Sequence, residues 1–200
     1  MDSLKNLSVG NRVSERDFDL IFPPLVRKLS RAHWTPLAAA QRAVQLLVKS
    51  PGDKVLDIGS GAGKLCIVGA LTTKGVFTGV EKDAELVRVA KQIVRQHKIE
   101  RVRYVHGDAM AQDWGTFQAL YLFNPFANAT QIKKDSLTNV PVPEEIFVEL
   151  VKKTTMKMAG LPVGMRIVTY HGFGAEMPPN VIQEAAEIVG PGVLQLWRTV

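Results

Sequence analysis

The chain has 200 residues, a length that favours a single domain with a sizeable buried core. Its hydrophobic (46%) and charged (22%) fractions are ordinary for a globular protein, and no apolar run approaches the roughly 18 residues that span a membrane. Because there is one cysteine and no secretory apolar region, we expect a cytoplasmic protein without an internal disulfide or a membrane partner. The net charge of +6 leaves nucleic acid open as a partner without requiring it, since the basic residues are scattered.

The first part of the chain is predicted to be an arm followed by helical segments. Residues 1–17 are polar and show no clear period, which predicts partial order only. Apolar residues recur at helical spacing over residues 18–29, where Pro23 and Pro24 predict a break or a helix start. Thr35 and Pro36 suit the start of the next helix, with the Thr35 hydroxyl capping its free amides.

Five strand-like apolar runs alternate with helical patterns in the rest of the chain. The predicted strands are Lys54–Asp57, Val76–Glu81, Val102–His106, Ala119–Phe123 and Met165–Tyr170. The predicted helices between them are Ala62–Thr72, Ala84–Lys98 and a helix from about Pro143 to Ala159. This order predicts an α/β fold, a doubly wound and mostly parallel sheet with helices on both faces. We place this domain at residues 36–200, after the arm and helix of residues 1–35.

The carboxyl-terminal segment allows two interpretations. Residues 181–189 contain QEAAE, which favours a helix. Their position before Gly190-Pro191-Gly192 and a final strand, Leu194–Thr199, equally suits an antiparallel hairpin.

A glycine-rich turn follows the first predicted strand. Gly59, Gly61 and Gly63 lie between that strand and a helix, where the backbone must bend and come close to a ligand. The third glycine comes two residues after the second, whereas the dinucleotide pattern has three, and Asp57 precedes the loop. A carboxylate there suits an amino acid ammonium group better than a pyrophosphate, which argues against NAD.

Polar residues also end the neighbouring strands, and the carboxyl ends of parallel strands share one edge of a sheet. Glu81 ends the second strand, where a carboxylate can accept both hydroxyls of a ribose. Asp108, with the amide of Ala109, can hydrogen-bond an adenine edge after the third strand. Asn124 follows the fourth strand at the same edge.

These motifs resemble those of the class I S-adenosylmethionine-dependent methyltransferases. The similar segments, within about residues 36–172, are Asp57–Gly63 (DIGSGAG), Val80–Asp83 (VEKD), Gly107–Ala109 (GDA) and Asn124–Phe126 (NPF). The resemblance implies S-adenosylmethionine as the cofactor. It implies a cofactor site made of Asp57, Gly59, Ser60, Gly61, Gly63, Glu81, Lys82, Asp108, Ala109 and Asn124. It also favours the terminal hairpin, which is usual in the family.

The segment Asn124-Pro125-Phe126 resembles the motif of amino-group methyltransferases, in which oxygen acceptors orient the target nitrogen and an aromatic ring packs on it. Here the second proline of that motif is missing. The resemblance therefore implies Asn124, Pro125 and Phe126 as catalytic residues and favours a nitrogen acceptor. The alternative is that these residues form only a turn that lines the cofactor.

Several other residues allow a functional role or a simpler structural one. Trp34 and Thr35 are predicted to cover the cofactor, since helices before the first strand often lie there in this family. Cys66 is predicted to be a packed core thiol, because its helix neighbours are apolar. The histidines lack metal-ligand spacing, and no metal site is predicted; His171 is either a proton acceptor at the rim or a loop residue.

The sequence thus predicts a methyltransferase with an unidentified acceptor. Three alternatives stay open: a small-molecule or oxygen methyltransferase, an NAD-dependent oxidoreductase, and a catalytically silent protein that binds S-adenosylmethionine for a partner.

Overall fold

A seven-stranded sheet forms the centre of the protein. The structure is a computed structural model that describes residues 3–28, 34–123 and 144–200. The strands lie in the order β3-β2-β1-β4-β5-β7-β6. Their bounds are Lys54–Ile58 (β1), Val76–Glu81 (β2), Val102–His106 (β3), Ala119–Phe123 (β4), Arg166–Tyr170 (β5), Val181–Val189 (β6) and Gly192–Thr199 (β7).

The helices connect and cover these strands. Their bounds are Ser3–Ser8 (α1), Glu15–Asp19 (α2), Pro24–Arg27 (α3), Leu37–Leu47 (α4), Lys64–Thr72 (α5), Ala84–Gln96 (α6) and Glu144–Ala159 (α7). Two single 3-10 turns, Ala109–Ala111 and Trp114–Thr116, lie between β3 and β4. Among the described helices, none is long and apolar enough to cross a membrane.

The central strands are parallel and buried on both faces, as their continuous apolar runs predict. β1 pairs in parallel with β2 on one side and with β4 on the other. Successive residues of β1 point to opposite faces, so Val55 joins the core under α4, α5 and α6, while Leu56 joins the core under α7. The predicted doubly wound α/β fold is confirmed.

The carboxyl terminus is a hairpin, as the family resemblance implied. β6 and β7 are antiparallel over their whole length, and β7 pairs with β5 to join the sheet. The helix-favouring QEAAE segment lies in the edge strand β6, where Arg42 of α4 forms an ion pair with Glu187. Tertiary pairing has therefore overridden the local helix propensity.

The amino-terminal segment is more ordered than its polar composition predicts. Residues 1–17 contain α1, whose Leu4 and Leu7 are buried against the core, and the start of α2. The break predicted near Pro23 is present, since α2 ends at Asp19 and α3 begins at Pro24. The short helices were missed because two apolar side chains in a polar stretch show no period in the sequence. Their burial depends on a core surface that distant residues provide.

Candidate functional site

The glycine loop joins β1 to α5 through a sharp turn. Gly59, Gly61 and Gly63 have φ angles of +75°, +55° and +90°, in the left-handed region that side chains other than glycine rarely adopt. This confirms that the backbone bends at the three glycines. The structure adds a packing reason for the third one, because a Cβ at Gly63 would lie 2.2 Å from the Tyr104 hydroxyl oxygen.

A cavity of about 40 Å³ lies between this loop, the end of β4 and the residues that precede α4. Thr35 and Tyr121 form part of its wall, with their hydroxyl oxygens 2.7 Å apart. Its lining comprises Trp34, Thr35, Asp57, Gly59, Ser60, Gly61, Ala62, Lys64, Leu65, Tyr121 and Phe123. Six of the predicted cofactor residues therefore meet at one cavity: Trp34, Thr35, Asp57, Gly59, Ser60 and Gly61.

Asp57 supplies a buried carboxyl group to the cavity and is 3% exposed. Burial raises its pKa to about 7, the thiol of Cys66 opposes that rise by donating a hydrogen bond at 3.4 Å, and the charge of Glu81 adds to it. Cys66 is fully buried, as predicted, and burial raises the pKa of its thiol well above the ordinary value. A cation in the cavity would lower the pKa of Asp57 again and so favour its carboxylate form.

Glu81 at the end of β2 holds the glycine loop from its other side. Its Oε2 accepts the Gly61 amide at 2.8 Å, and its Oε1 accepts the Asp83 amide at 2.9 Å. An ionised carboxylate has about four acceptor positions. Two therefore remain for hydroxyl groups of a ligand.

Asp108, Ala109 and Lys82 lie at the ends of β3 and β2, beyond the residues that line the cavity. Asp108 Oδ1 accepts the Met110 amide at 2.9 Å, and the Lys82 ammonium lies 3.6 Å from Asp108 Oδ2. Both charged side chains are exposed, so this pair contributes little to stability. Ala109 is buried, and its carbonyl accepts the Trp114 indole N–H at 2.8 Å.

The predicted cap of α4 is wrong. The Thr35 hydroxyl does not bond the first amides of α4; it pairs with Tyr121, and the Leu37 amide donates to Glu15 Oε2 at 2.5 Å. Thr35 is buried, so its hydroxyl needs an interior partner more than the helix needs this particular cap. The same contact fixes Trp34 and Thr35 in the cavity wall.

Ser60 is part of the cavity lining, and its hydroxyl oxygen lies against β2, 2.6 Å from the position that a Cβ at Gly79 would occupy. Its hydroxyl is the one buried side-chain oxygen or nitrogen that lacks a hydrogen-bond partner among the described residues. A buried hydroxyl without a partner costs free energy.

Five residues of the cavity were missed at the level of sequence: Ala62, Lys64, Leu65, Tyr121 and Phe123. Lys64 directly follows Gly63, and Tyr121 stands opposite Asp57 in the register of β4 and β1. The register of β4 against β1 is therefore the signal that could have identified Tyr121 as a site residue. Asn124, Pro125 and Phe126 lie outside the described residues. Within the described ranges, no three His, Cys, Asp or Glu side chains are grouped to hold a metal ion.

Two kinds of comparison match the chain to known proteins. A family model described as protein-L-isoaspartate(D-aspartate) O-methyltransferase matches residues 33–121, just under half of the chain. No curated protein matches the sequence. The similar solved structures include an RNA methyltransferase from Salinibacter ruber with S-adenosyl-L-homocysteine, which has a TM-score of 0.61 and 19% identity over 83% of this chain and 93% of that one.

Other similar structures have different names and lengths. TrmN from Thermus thermophilus has a TM-score of 0.65 and 16% identity over 88% of this chain, which spans about half (52%) of TrmN. Geranyl diphosphate methyltransferase in complex with SAM has a TM-score of 0.58 and 14% identity over 92% of this chain and 95% of that one. The chain therefore has the fold of the class I S-adenosylmethionine-dependent methyltransferases, and the predicted resemblance to them is confirmed.

Proposed function

We propose that this protein binds S-adenosylmethionine in the cavity beside the glycine loop and transfers its methyl group to an acceptor. The observation that carries this proposal is the pair of carboxylates, Asp57 and Glu81, on either side of the loop. Asp57 suits an ammonium group and repels the pyrophosphate of a dinucleotide, and Glu81 suits a ribose. The matched family model and the structures with bound S-adenosylmethionine or S-adenosyl-L-homocysteine support the same cofactor.

The residues present fit this cofactor. Asp57 would hold the ammonium group, and Glu81 would accept the ribose hydroxyls. Asp108 and Ala109 hold the adenine, with Lys82 pairing to Asp108. When bound, the cofactor supplies a sulfonium that is already an activated leaving group.

The chain's own part in the reaction is alignment and exclusion of water. Trp34, Thr35, Tyr121 and Phe123 wall the cavity, and the burial of the first three limits the access of solvent to it. An in-line displacement needs the acceptor atom held behind the methyl carbon. A strong base is unnecessary for an amine acceptor, since the proton can leave after the methyl group has been transferred.

Calorimetric titration with S-adenosyl-L-homocysteine and, separately, with NAD tests the proposed cofactor. We expect binding of S-adenosyl-L-homocysteine alone. Binding of NAD alone would establish the oxidoreductase alternative.

We further propose that the acceptor atom is nitrogen and that Asn124 orients it. Asn124 directly follows Phe123, which lines the cavity, and Pro125 and Phe126 complete the motif. The O-methyltransferase family model ends at residue 121 and so does not reach this segment. Its match therefore supports the cofactor site. The acceptor depends on residues after 121, which the family model does not cover.

The Asn124→Ala variant is expected to lose turnover by about 100-fold, because an acceptor without its oxygen partner is poorly oriented. Its affinity for S-adenosyl-L-homocysteine should change less than about twofold, which is within the effect of losing one neutral contact. Labelled methyl transfer and calorimetry measure the two quantities. An equal loss of both would overturn the acceptor role.

Cofactor affinity is expected to depend on pH through Asp57, whose pKa is raised by burial to about 7. The ammonium of the ligand stabilises the carboxylate and lowers its pKa, so binding releases a proton below pH 7 and is favoured as pH rises. Affinity for S-adenosyl-L-homocysteine should therefore fall about tenfold from pH 8 to pH 6. In Asp57→Asn this dependence should disappear. A profile that Asp57→Asn leaves unchanged would refute the assignment.

Two classes of acceptor have support. The net charge of +6 and the RNA methyltransferase among the similar structures support a nucleic acid, whereas the similar geranyl diphosphate methyltransferase supports a small molecule. The cytoplasmic setting expected from the sequence stays part of this proposal. Cys66 is buried and forms no disulfide bond.

A further inference from the structure

Lys64 is a buried cation in the wall of the cavity. It is the first residue of α5, its side chain is 4% exposed, and it lines the same cavity as Asp57. A buried ammonium group costs several kcal/mol unless it is paired. The amino terminus of a helix also favours anions over cations, so this position adds to the cost. A lysine here therefore requires carboxylate partners.

Two carboxylates of α2 stabilise the Lys64 ammonium. It forms ion pairs with Glu15 and with Asp19, the latter at 2.8 Å. It also lies 5.6 Å from the ring centroid of Phe18 and 5.8 Å from that of Trp34, distances at which aromatic faces attract a cation. The amino-terminal segment is thereby fastened to the end of the glycine loop.

The two carboxylates differ in how firmly they are held. The Asp19 side chain is 12% exposed, whereas that of Glu15 is 46% exposed. Glu15 also accepts the Leu37 amide, so it has a second partner when it leaves the ammonium. A carboxylate that enters the cavity therefore competes with Glu15 for Lys64, while Asp19 stays in place.

The charges of the cavity match a zwitterion. Among its described lining residues, Asp57 is the one acid and Lys64 is the one base. An α-amino acid group presents an ammonium for Asp57 and a carboxylate for Lys64. A ligand with an ammonium group alone would leave the cation without a role in binding.

We infer that Lys64 binds the carboxylate of the methionine part of S-adenosylmethionine, in place of its bond to Glu15. The inference rests on the proposed function, since it assigns the second charge of the same ligand. Cofactor binding then changes the contacts of α2, because the carboxylate of the ligand and that of Glu15 compete for the Lys64 ammonium group.

Calorimetry with two ligands tests this binding role. S-adenosylmethionine carries the carboxylate, and decarboxylated S-adenosylmethionine keeps the ammonium but lacks it. The natural protein should bind the first at least about tenfold more tightly, as expected for a charged hydrogen bond. In the double variant Lys64→Met, Glu15→Gln, which removes one cation and one anion together, the two ligands should bind within about twofold of each other.

The single variant Glu15→Gln keeps an oxygen for the Leu37 amide and tests the competition even where the double variant does not fold. Its affinity for S-adenosylmethionine should rise, while that for the decarboxylated ligand stays unchanged. A preference for the carboxylate that the double variant retains, or a fall in affinity for S-adenosylmethionine in Glu15→Gln, would overturn the inference. If the natural protein binds neither ligand, the proposed function itself fails; if it binds both equally, the role of Lys64 alone fails.

Discussion

Replacing Glu81 by alanine is expected to weaken binding of S-adenosyl-L-homocysteine by at least about 100-fold, since two hydrogen bonds to an ionised carboxylate contribute about 3 kcal/mol or more. The carboxylate has two roles at this site. It anchors the amides of Gly61 and Asp83, and it keeps two acceptor positions for the ribose. Calorimetric titration of the purified variant measures the loss.

Glu85→Ala is the matched control, because Glu85 is an exposed carboxylate on the helix that follows and pairs with Arg88. It should bind the cofactor as the natural protein does. A folded Glu81→Ala variant whose affinity falls less than about threefold, a loss smaller than one typical hydrogen bond, would remove Glu81 from the ribose site.

The substitution Gly63→Ala is expected to lower the free energy of unfolding by about 3 kcal/mol or more. The backbone at Gly63 has φ +90°, and the added Cβ would lie 2.2 Å from the Tyr104 hydroxyl oxygen. Tyr104 has little room to move, because it is buried and its hydroxyl donates to the Gly63 carbonyl at 2.9 Å. Urea denaturation measures the change.

Gly52→Ala separates backbone strain from the clash. Gly52 has φ +86°, almost the same angle, and nothing lies within 4 Å of the position of its Cβ. Its substitution should cost about 1 kcal/mol, from the backbone alone. Equal losses at the two glycines would show that the contact with Tyr104 does not constrain the loop.

The strands of the sheet were predictable from sequence because the pattern of each one is local. Each parallel strand is a short apolar run bounded by turn residues, and β1 to β5 lie within a residue of their predicted bounds. The hairpin was predictable only through the family, since QEAAE favours a helix in isolation. The helices α1 and α2 were missed because Leu4 and Leu7 become interior only when the core provides a surface for them.

In the candidate site, too, local motifs were predictable from sequence and contacts between distant residues were not. The glycines, Asp57 and Glu81 stand in recognisable motifs at strand ends, so the sequence alone brings them together. Lys64 was missed because its partners Glu15 and Asp19 lie 49 and 45 residues away in the chain. Thr35 was assigned to the wrong partner for a related reason: a local capping rule cannot anticipate the Tyr121 hydroxyl, which is 86 residues distant.

Methyl transfer itself can be measured with methyl-labelled S-adenosylmethionine and a cell extract separated into nucleic acid, protein and small molecules. We predict that the natural protein transfers label into one of these fractions and that Glu81→Ala, at the same cofactor concentration, transfers almost none. Binding of S-adenosylmethionine without transfer into any fraction would contradict the account and identify a silent cofactor-binding protein.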